Sequence, residues 1–109
     1  MEKATVKAKQ IVESNGAVVF SKTFCPYCVS VKKLLTDIGA TFKAVELNTE
    51  DDGADIQAAL AAWTGQRTVP NVFIGGKHIG GNDTTQDLHK QGKLVPLLVE
   101  AGAIAKVTA

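Results

Sequence analysis

Residues 17–39 read AVVFSKTFCPYCVSVKKLLTDIG, a short apolar run followed by a longer amphipathic segment. The run over residues 17–20 has the length and composition of a buried β-strand. From residue 26 to residue 38 the apolar side chains recur near helical spacing, and Gly39 follows as a typical C-terminal stop. Pro26 suits the first position of that helix, because its missing N–H costs nothing there. The stretch therefore predicts a strand and a helix joined by a loop at the first of two cysteines.

The rest of the chain alternates between helical and strand patterns with short turns between them. Further helices are predicted over residues 3–14, 50–63, 83–92 and 95–101, and strands over residues 42–47, 71–74 and 77–79. Gly75-Gly76 separates the last two strands and predicts a two-residue hairpin. Residues 83–86, Asp-Thr-Thr-Gln, have the form of a capping box in which Asp83 is the N-cap. The segment after residue 101 is expected to fray.

The order of these elements predicts the fold class. A strand, a helix and a second strand form a βαβ unit, whose strands pair in parallel through a right-handed crossover. The later hairpin adds antiparallel strands to the same sheet. We therefore expect one domain over residues 1–109 with an α/β fold of the thioredoxin-like kind, a central mixed four-stranded sheet flanked by helices.

The composition excludes several classes of protein. Hydrophobic residues make up 45% of the 109 residues and charged residues 21%, which is a globular rather than a disordered balance. Lys and Arg total 12 and Asp and Glu total 11, so the net charge of +1 leaves no broad basic face for a nucleic acid. No apolar run approaches the roughly 18 residues of a membrane span. The charged residues 1–12 lack the apolar core of a signal peptide, so a cytoplasmic location is expected.

The two cysteines, Cys25 and Cys28, form a Cys-Pro-Tyr-Cys motif. A bridge across so short a loop adds little stability to the fold. The two histidines, His78 and His89, lie far downstream at a spacing that does not complete a zinc site with the cysteines. The motif is therefore interpreted as a pair of chemically reactive thiols.

The predicted helix gives the two cysteines different chemistry. With Pro26 in the first helical position, Cys25 is the N-cap, and its sulfur meets the N–H of Cys28 and the positive end of the helix dipole. Lys22 could add a full positive charge nearby. The pKa of Cys25 is expected to fall, whereas Cys28, one turn further on, is expected to be more buried and nearer its ordinary pKa. Cys25 is thus the predicted nucleophile and Cys28 the resolving thiol.

Three separated motifs occur in the order typical of one family. They are TFCPYC at residues 23–28, TVPNVFIGG at residues 68–76 and GGND at residues 80–83. Together they resemble the dithiol glutaredoxins of class I, in particular the plant members of the CPYC type, and the resemblance covers nearly the whole chain. It implies a thioredoxin fold, glutathione as cosubstrate, and reduction of protein disulfides and glutathione mixed disulfides. The expected partners are glutathione and proteins that carry disulfides or bound glutathione, and the chain is expected to be a monomer.

The resemblance also assigns roles to particular residues. The catalytic cysteines fall on Cys25 and Cys28, and a cis peptide bond is implied before Pro70. The implied glutathione groove consists of Lys22, Tyr27, Gln66, Thr68, Val69, Pro70, Gly81, Asn82 and Asp83. Asn82 departs from the family, in which this position commonly carries cysteine or serine, so this chain has no thiol there.

The chemistry of these residues agrees with a glutathione groove. Lys22 and Gln66 are of the types that hold the glycyl carboxylate by charge and by a hydrogen bond. Residues 68–70 suit an extended backbone that pairs with the main chain of glutathione. Residues 80–83 lead into a helix N-terminus, where backbone N–H groups bind a carboxylate. Asp83 could there accept a hydrogen bond from the γ-glutamyl ammonium.

Two other functions stay open from the sequence. A thioredoxin-like reductase supplied by a flavoenzyme would use the same cysteine pair, but Lys22, Gln66 and the turn at residues 81–83 favour glutathione. An iron–sulfur carrier would hold a [2Fe–2S] cluster between two chains through Cys25 and two glutathiones. Pro26 argues against the carrier by analogy, because cluster-binding dithiol members often have glycine there, and no metal is expected.

Overall fold

The computed structural model describes residues 2–105, which form one sheet of four strands and five α-helices. The strands are β1 (Ala17–Ser21), β2 (Lys43–Glu46), β3 (Asn71–Ile74) and β4 (Lys77–Gly80). The helices are α1 (Glu2–Ser14), α2 (Pro26–Asp37), α3 (Gly53–Thr64), α4 (Asn82–Lys90) and α5 (Leu94–Glu100).

The sheet is mixed and has the strand order β2-β1-β3-β4. Strands β1 and β2 pair in parallel, with Ser21 opposite Glu46, and α2 connects the two strands. Strand β3 pairs antiparallel with both β1 and β4. Gly75 and Gly76 join β3 to β4 with φ angles of 60° and 79°, which glycine adopts without steric cost. The predicted α/β fold with a mixed four-stranded sheet is confirmed.

Two apolar cores lie on opposite faces of this sheet. One face packs against α1 and α3 around Phe20 and Phe73, and the other packs against α2 and α5 around Val19. Since successive residues of a strand point to opposite faces, Ser21 and Glu46 lie on the face that α2 covers. Two polar residues of the sheet are therefore placed beneath the helix that begins at the cysteine motif.

Helix α3 begins later than predicted. Residues 50–52 form a turn, in which the N–H of Gly53 donates to the carbonyl oxygen of Glu50 at 3.1 Å, and the helix starts at Gly53. The backbone of Gly53 lies so near β2 that an added Cβ would sit 1.7 Å from the carbonyl oxygen of Leu47. A glycine is needed at this position because of that close approach rather than because of its φ angle.

The prediction that Asp83 caps α4 is wrong. The N-cap is Gly81, whose backbone is extended, and the first intrahelical bond runs from the N–H of Thr85 to the carbonyl oxygen of Gly81 at 3.2 Å. Asp83 lies in the first turn of α4, where it is exposed. Its carboxylate is therefore not used to begin the helix.

The segment after α5 is packed against the body of the protein. Gly102, with a φ angle of 77°, turns the chain, and Ala103 is buried with its carbonyl oxygen accepting the N–H of Thr41 at 2.7 Å. Ile104 packs against the core beneath α2 and α5. The prediction of a frayed tail is therefore wrong as far as residue 104, and residues 106–109 lie outside the described residues. Within residues 2–105, no helix combines the length and the hydropathy needed to cross a membrane.

Candidate active site

Cys25 and Cys28 lie at the N-terminus of α2. Cys25 is the N-cap with an extended backbone, and Pro26 is the first residue of the helix, as the sequence predicts. The N–H of Cys28 donates to Sγ of Cys25 at 3.4 Å, and the Cys25 thiol faces the carbonyl oxygen of Val69 at 3.8 Å. Both cysteines are free thiols; Cys25 is half-buried and Cys28 is fully buried. The outer thiol is thus the one that a substrate can reach first.

The surroundings of Cys25 favour its thiolate. Burial alone would raise the pKa of Cys25, but hydrogen bonds from the side chain and N–H of Cys28 and from the N–H of Tyr27, with the positive charge of Lys32, outweigh it and lower the pKa below the ordinary value. The thiolate is the nucleophilic form of cysteine. The sequence analysis named Lys22 as the nearby cation, whereas the cation that acts on Cys25 here is Lys32.

The surroundings of Cys28 have the opposite effect. Burial raises the pKa of the Cys28 thiol, its contact with Cys25 raises it further, and hydrogen bonds from the N–H of Lys22 and the hydroxyl of Ser21 offset only part of this. Cys28 is more buried than Cys25, as predicted, and complete burial by the helix places its pKa above the ordinary value. At neutral pH the pair consists of an activated outer sulfur and a protonated inner one.

Lys32 is held by an ion pair inside the fold. Its Nζ lies 2.9 Å from Oε2 of Glu46, and the two side chains are only 23% and 21% exposed. The other carboxylate oxygen of Glu46, Oε1, is buried and has no hydrogen-bond partner among residues 2–105. The next lysine, Lys33, instead pairs with Asp37 on the outer side of the helix, where these side chains are 72% and 57% exposed.

A cleft of about 330 Å³ lies beside the cysteine pair. The Val69–Pro70 bond in its wall is cis, as the resemblance implies. The lining residues are Tyr27, Thr68, Val69, Pro70, Gly81, Asn82, Asp83 and Thr84. All of the predicted groove residues except Lys22 and Gln66 are therefore brought together in one cleft. Thr84 was not predicted, although its place in the first turn of a helix after a glycine pair could have indicated it.

The N-terminus of α4 forms one side of this cleft. The N–H groups of Asn82, Asp83 and Thr84 have no acceptor within the helix, because an α-helix leaves the donors of its first turn unpaired. These N–H groups and the helix dipole make this side of the cleft positive. The arrangement suits a carboxylate.

Lys22 and Gln66 lie outside the lining of the cleft. The amide nitrogen of Gln66 donates to the carbonyl oxygens of Thr68 at 3.1 Å and Pro70 at 2.9 Å, so both of its hydrogens hold the loop that forms the cleft wall. Lys22 is half-buried, and within residues 2–105 its ammonium has no ion pair or hydrogen bond. The contacts of both side chains with a bound carboxylate stay predictions.

The side chain of Gln66 contacts His78, whose ring contacts Phe73 and, through Phe73, Trp63. Oε1 of Gln66 lies 3.2 Å from Nε2 of His78, and because an amide oxygen only accepts, this nitrogen carries the hydrogen. Burial lowers the pKa of His78, which favours the neutral ring. The His78 ring lies 5.2 Å from the ring of Phe73, on which Trp63 stacks at 5.0 Å and 22°. The cleft wall is thus connected to α3 through side-chain contacts that the sequence analysis missed.

Asn82 connects α4 to α2. Its Oδ1 accepts a hydrogen bond from Nε2 of Gln86 at 3.2 Å, and the same nitrogen lies 3.3 Å from the hydroxyl oxygen of Ser30 in α2. The residue that departs from the family resemblance therefore contributes to the contact between the two helices whose N-termini face the cleft.

Exposed apolar side chains surround the cysteine motif. Phe24 is 72% exposed, Tyr27 64% and Val29 52%. Phe24 was not singled out from the sequence, because a single aromatic residue before a cysteine motif does not reveal its exposure. Exposed apolar side chains therefore lie within the cysteine motif and directly on either side of it.

Together, these features define a class of protein. A thiol with a lowered pKa is placed at a helix N-terminus, a second thiol is buried behind it, and a cleft suited to a small anionic peptide lies alongside. This is the site of a dithiol–disulfide oxidoreductase.

Comparison with known proteins gives the family. Residues 17–79 match the glutaredoxin family. The chain is 72% identical to Glutaredoxin-C2 of Arabidopsis thaliana over 106 residues, 97% of this chain and 96% of that protein. Its fold matches the crystal structure of a buckwheat glutaredoxin–glutathione complex with a TM-score of 0.94. The two sequences are 62% identical, and the match covers 95% of this chain and 94% of that one. The chain belongs to the glutaredoxin family: it is a plant-like dithiol glutaredoxin with a thioredoxin fold and a glutathione-dependent thiol–disulfide oxidoreductase.

Proposed function

We propose that Cys25 is the nucleophile of this oxidoreductase and that Cys28 is its resolving thiol. The observation that carries the proposal is the hydrogen bond from the N–H of Cys28 to Sγ of Cys25, which stabilises the outer thiolate while Cys28 itself is buried. A thiolate with a lowered pKa attacks readily at neutral pH and is also a good leaving group.

Removal of glutathione from a protein needs only Cys25. The Cys25 thiolate attacks the glutathione sulfur of the mixed disulfide, so that a Cys25–glutathione disulfide forms and the protein leaves as a thiolate that takes a proton from water. A second glutathione, as its thiolate, then attacks the glutathione sulfur bound to Cys25. Oxidised glutathione leaves, and the Cys25 thiolate is restored for the next cycle.

Reduction of a protein disulfide also uses Cys28. Cys25 attacks the disulfide, and the first protein sulfur leaves as a thiolate that takes a proton from water. The Cys28 thiol then loses its proton to water and attacks the Cys25 sulfur, and the second protein sulfur leaves as a thiolate. The product is a Cys25–Cys28 disulfide, and two glutathiones reduce it in turn. Burial and the contact with Cys25 raise the pKa of Cys28, so at neutral pH this thiol stays mostly protonated until the resolving step.

The cleft beside Cys25 is the proposed glutathione site. The N–H groups in the first turn of α4 suit the γ-glutamyl carboxylate, and the exposed Asp83 suits the neighbouring ammonium. The backbone of Val69 would pair with the peptide, and Lys22 would reach the glycyl carboxylate. Gln66 is proposed to keep the loop in shape through its bonds to the carbonyls of Thr68 and Pro70.

The proposed macromolecular partners are proteins that carry disulfides or bound glutathione. The exposed side chains of Phe24, Tyr27 and Val29 are proposed to receive them, because exposed apolar patches mark sites of protein–protein contact. We propose that the chain acts as a monomer, which light scattering would test. The [2Fe–2S] carrier stays the alternative function, and visible absorbance of protein purified without oxygen would favour it.

The test of the mechanism compares the wild type with Cys25→Ser and Cys28→Ser in two assays. One measures reduction of a small glutathione mixed disulfide, coupled to glutathione reductase, and the other measures reduction of a protein disulfide. Cys25→Ser should abolish both activities. Cys28→Ser should keep the first and lose most of the second, and equal loss in both assays would contradict the proposed division of roles.

A further inference from the structure

Beneath the cysteine motif, α2 and two strands bring four polar side chains together. Cys28 and Lys32 are one turn apart on α2, so they lie on the same face of the helix. Ser21 and Glu46 are opposite each other in β1 and β2, on the sheet face that α2 covers. Lys32 and Glu46 are the two charged members of this group, and their side chains are joined at 2.9 Å.

We propose that Lys32 and Glu46 are a pair of positioning residues that set the reactivity of Cys25: Lys32 stabilises the thiolate, while Glu46 holds Lys32 in place and weakens its charge. This inference rests on the nucleophilic role proposed for Cys25. It concerns how strongly that sulfur is activated rather than which sulfur reacts.

Because the pair is largely buried, its charges act on the active site with little screening. Side chains that are 23% and 21% exposed are screened by solvent and salt much less than the charges of a surface pair. The other oxygen of the Glu46 carboxylate, Oε1, is buried and has no hydrogen-bond partner among the described residues. The charge of this carboxylate is therefore compensated by Lys32. Each residue therefore depends on the other for its position.

Lys33, in the same helix, serves as the control for Lys32. Lys33 has the same charge as Lys32 and follows it directly, but its side chain is 72% exposed and pairs with Asp37 away from the sheet. An effect of Lys32 that came only from the net charge of the protein would also be produced by Lys33.

The two charges of the pair have opposite signs. Lys32 of α2 lowers the pKa of Cys25 through its positive charge, and the Glu46 carboxylate of β2, 2.9 Å from the Lys32 ammonium, opposes that effect. The other charged group near the motif is Lys22, in the loop before Cys25, and it is unchanged in all of the variants below. Removing Lys32 and removing Glu46 should therefore change the thiolate in opposite directions. A loss of packing would change it in the same direction in both variants.

The experiment measures alkylation of Cys25 by iodoacetamide as a function of pH, in a Cys28→Ser background so that one thiol reacts. Lys32→Gln should move the midpoint to higher pH and slow alkylation below that midpoint by about threefold or more. Glu46→Gln should move the midpoint to lower pH, and Lys33→Gln should leave it unchanged. The double variant Lys32→Gln/Glu46→Gln keeps a neutral hydrogen-bonded pair, and its midpoint should lie between those of the two single variants even if Lys32→Gln folds poorly.

Two results would overturn the proposal. One is an equal shift in Lys32→Gln and Lys33→Gln, and the other is a shift in the same direction in Lys32→Gln and Glu46→Gln. The glutathione-coupled assay separates this failure from failure of the proposed mechanism. Activity that survives Cys25→Ser would refute the proposed role of Cys25 as nucleophile. If activity depends on Cys25 but Lys32→Gln and Lys33→Gln have the same midpoint, only the proposed role of the Lys32–Glu46 pair is refuted.

Discussion

Replacing Gln66 by alanine tests how the wall of the cleft is held. The Gln66 amide donates to the carbonyl oxygens of Thr68 at 3.1 Å and Pro70 at 2.9 Å. The bond to Thr68 is exposed, so water can replace it, but Pro70 is buried. A carbonyl that loses its partner in such a place costs about 1–3 kcal/mol. The loop is therefore expected to leave its present conformation in Gln66→Ala.

The expected result is weaker binding of glutathione. A loss of about 1.4 kcal/mol corresponds to a tenfold change in an equilibrium constant. We expect the KM for a small glutathione mixed disulfide to rise about tenfold in Gln66→Ala, with a smaller change in kcat. The reason for the difference is that the groups which activate Cys25 lie on α2 and not on the loop held by Gln66.

Gln57 provides the matched control. Its amide nitrogen also donates to a carbonyl of this loop, that of Arg67 at 3.0 Å, but the bond is exposed and the acceptor does not line the cleft. Gln57→Ala should therefore leave the KM near the wild-type value. The reasoning would be refuted if the two variants had the same KM, or if Gln66→Ala lowered kcat and left the KM unchanged.

Three further perturbations follow from the structure. Alkylation of Cys25 in the wild type should rise with pH through a midpoint below the ordinary pKa of cysteine, and the stability that the thiolate adds above the unfolded pKa should be lost as the pH falls through that midpoint. Asp83→Asn should raise the KM for glutathione, whereas Asp87→Asn, an exposed change in the same helix, should not. Gly53→Ala should lower the Tm in a thermal unfolding scan, because its Cβ would lie 1.7 Å from the carbonyl oxygen of Leu47; an unchanged Tm would contradict this packing.

Local signals were sufficient to predict the cysteine motif and the sheet. Pro26 and the following helical pattern place Cys25 at the N-cap without any information from the rest of the chain. Gly75-Gly76 predicts its hairpin in the same way, because the turn geometry depends on these two residues alone. The capping pattern at Asp83 misled the sequence analysis, since the extended Gly81 already begins the helix.

Contacts between distant residues account for what was missed. The pairing of Lys32 with Glu46 depends on the crossover that places β2 beside β1, and the bond between Gln66 and His78 depends on how β4 returns to β3. Neither arrangement leaves a periodic signal in the sequence. The glutathione contacts, the monomeric state and the cytoplasmic location stay predictions.

The contact between Gln66 and His78 has a practical consequence for measurement. Trp63 is the one tryptophan of the chain, and its ring is stacked on Phe73, which is in turn in contact with His78. Since tryptophan emission is sensitive to neighbouring rings and charges, a shift of Gln66 should alter the fluorescence of Trp63 through these contacts. We therefore expect Trp63 to act as an intrinsic optical reporter of the cleft, and a titration with glutathione that leaves its emission unchanged would contradict this coupling.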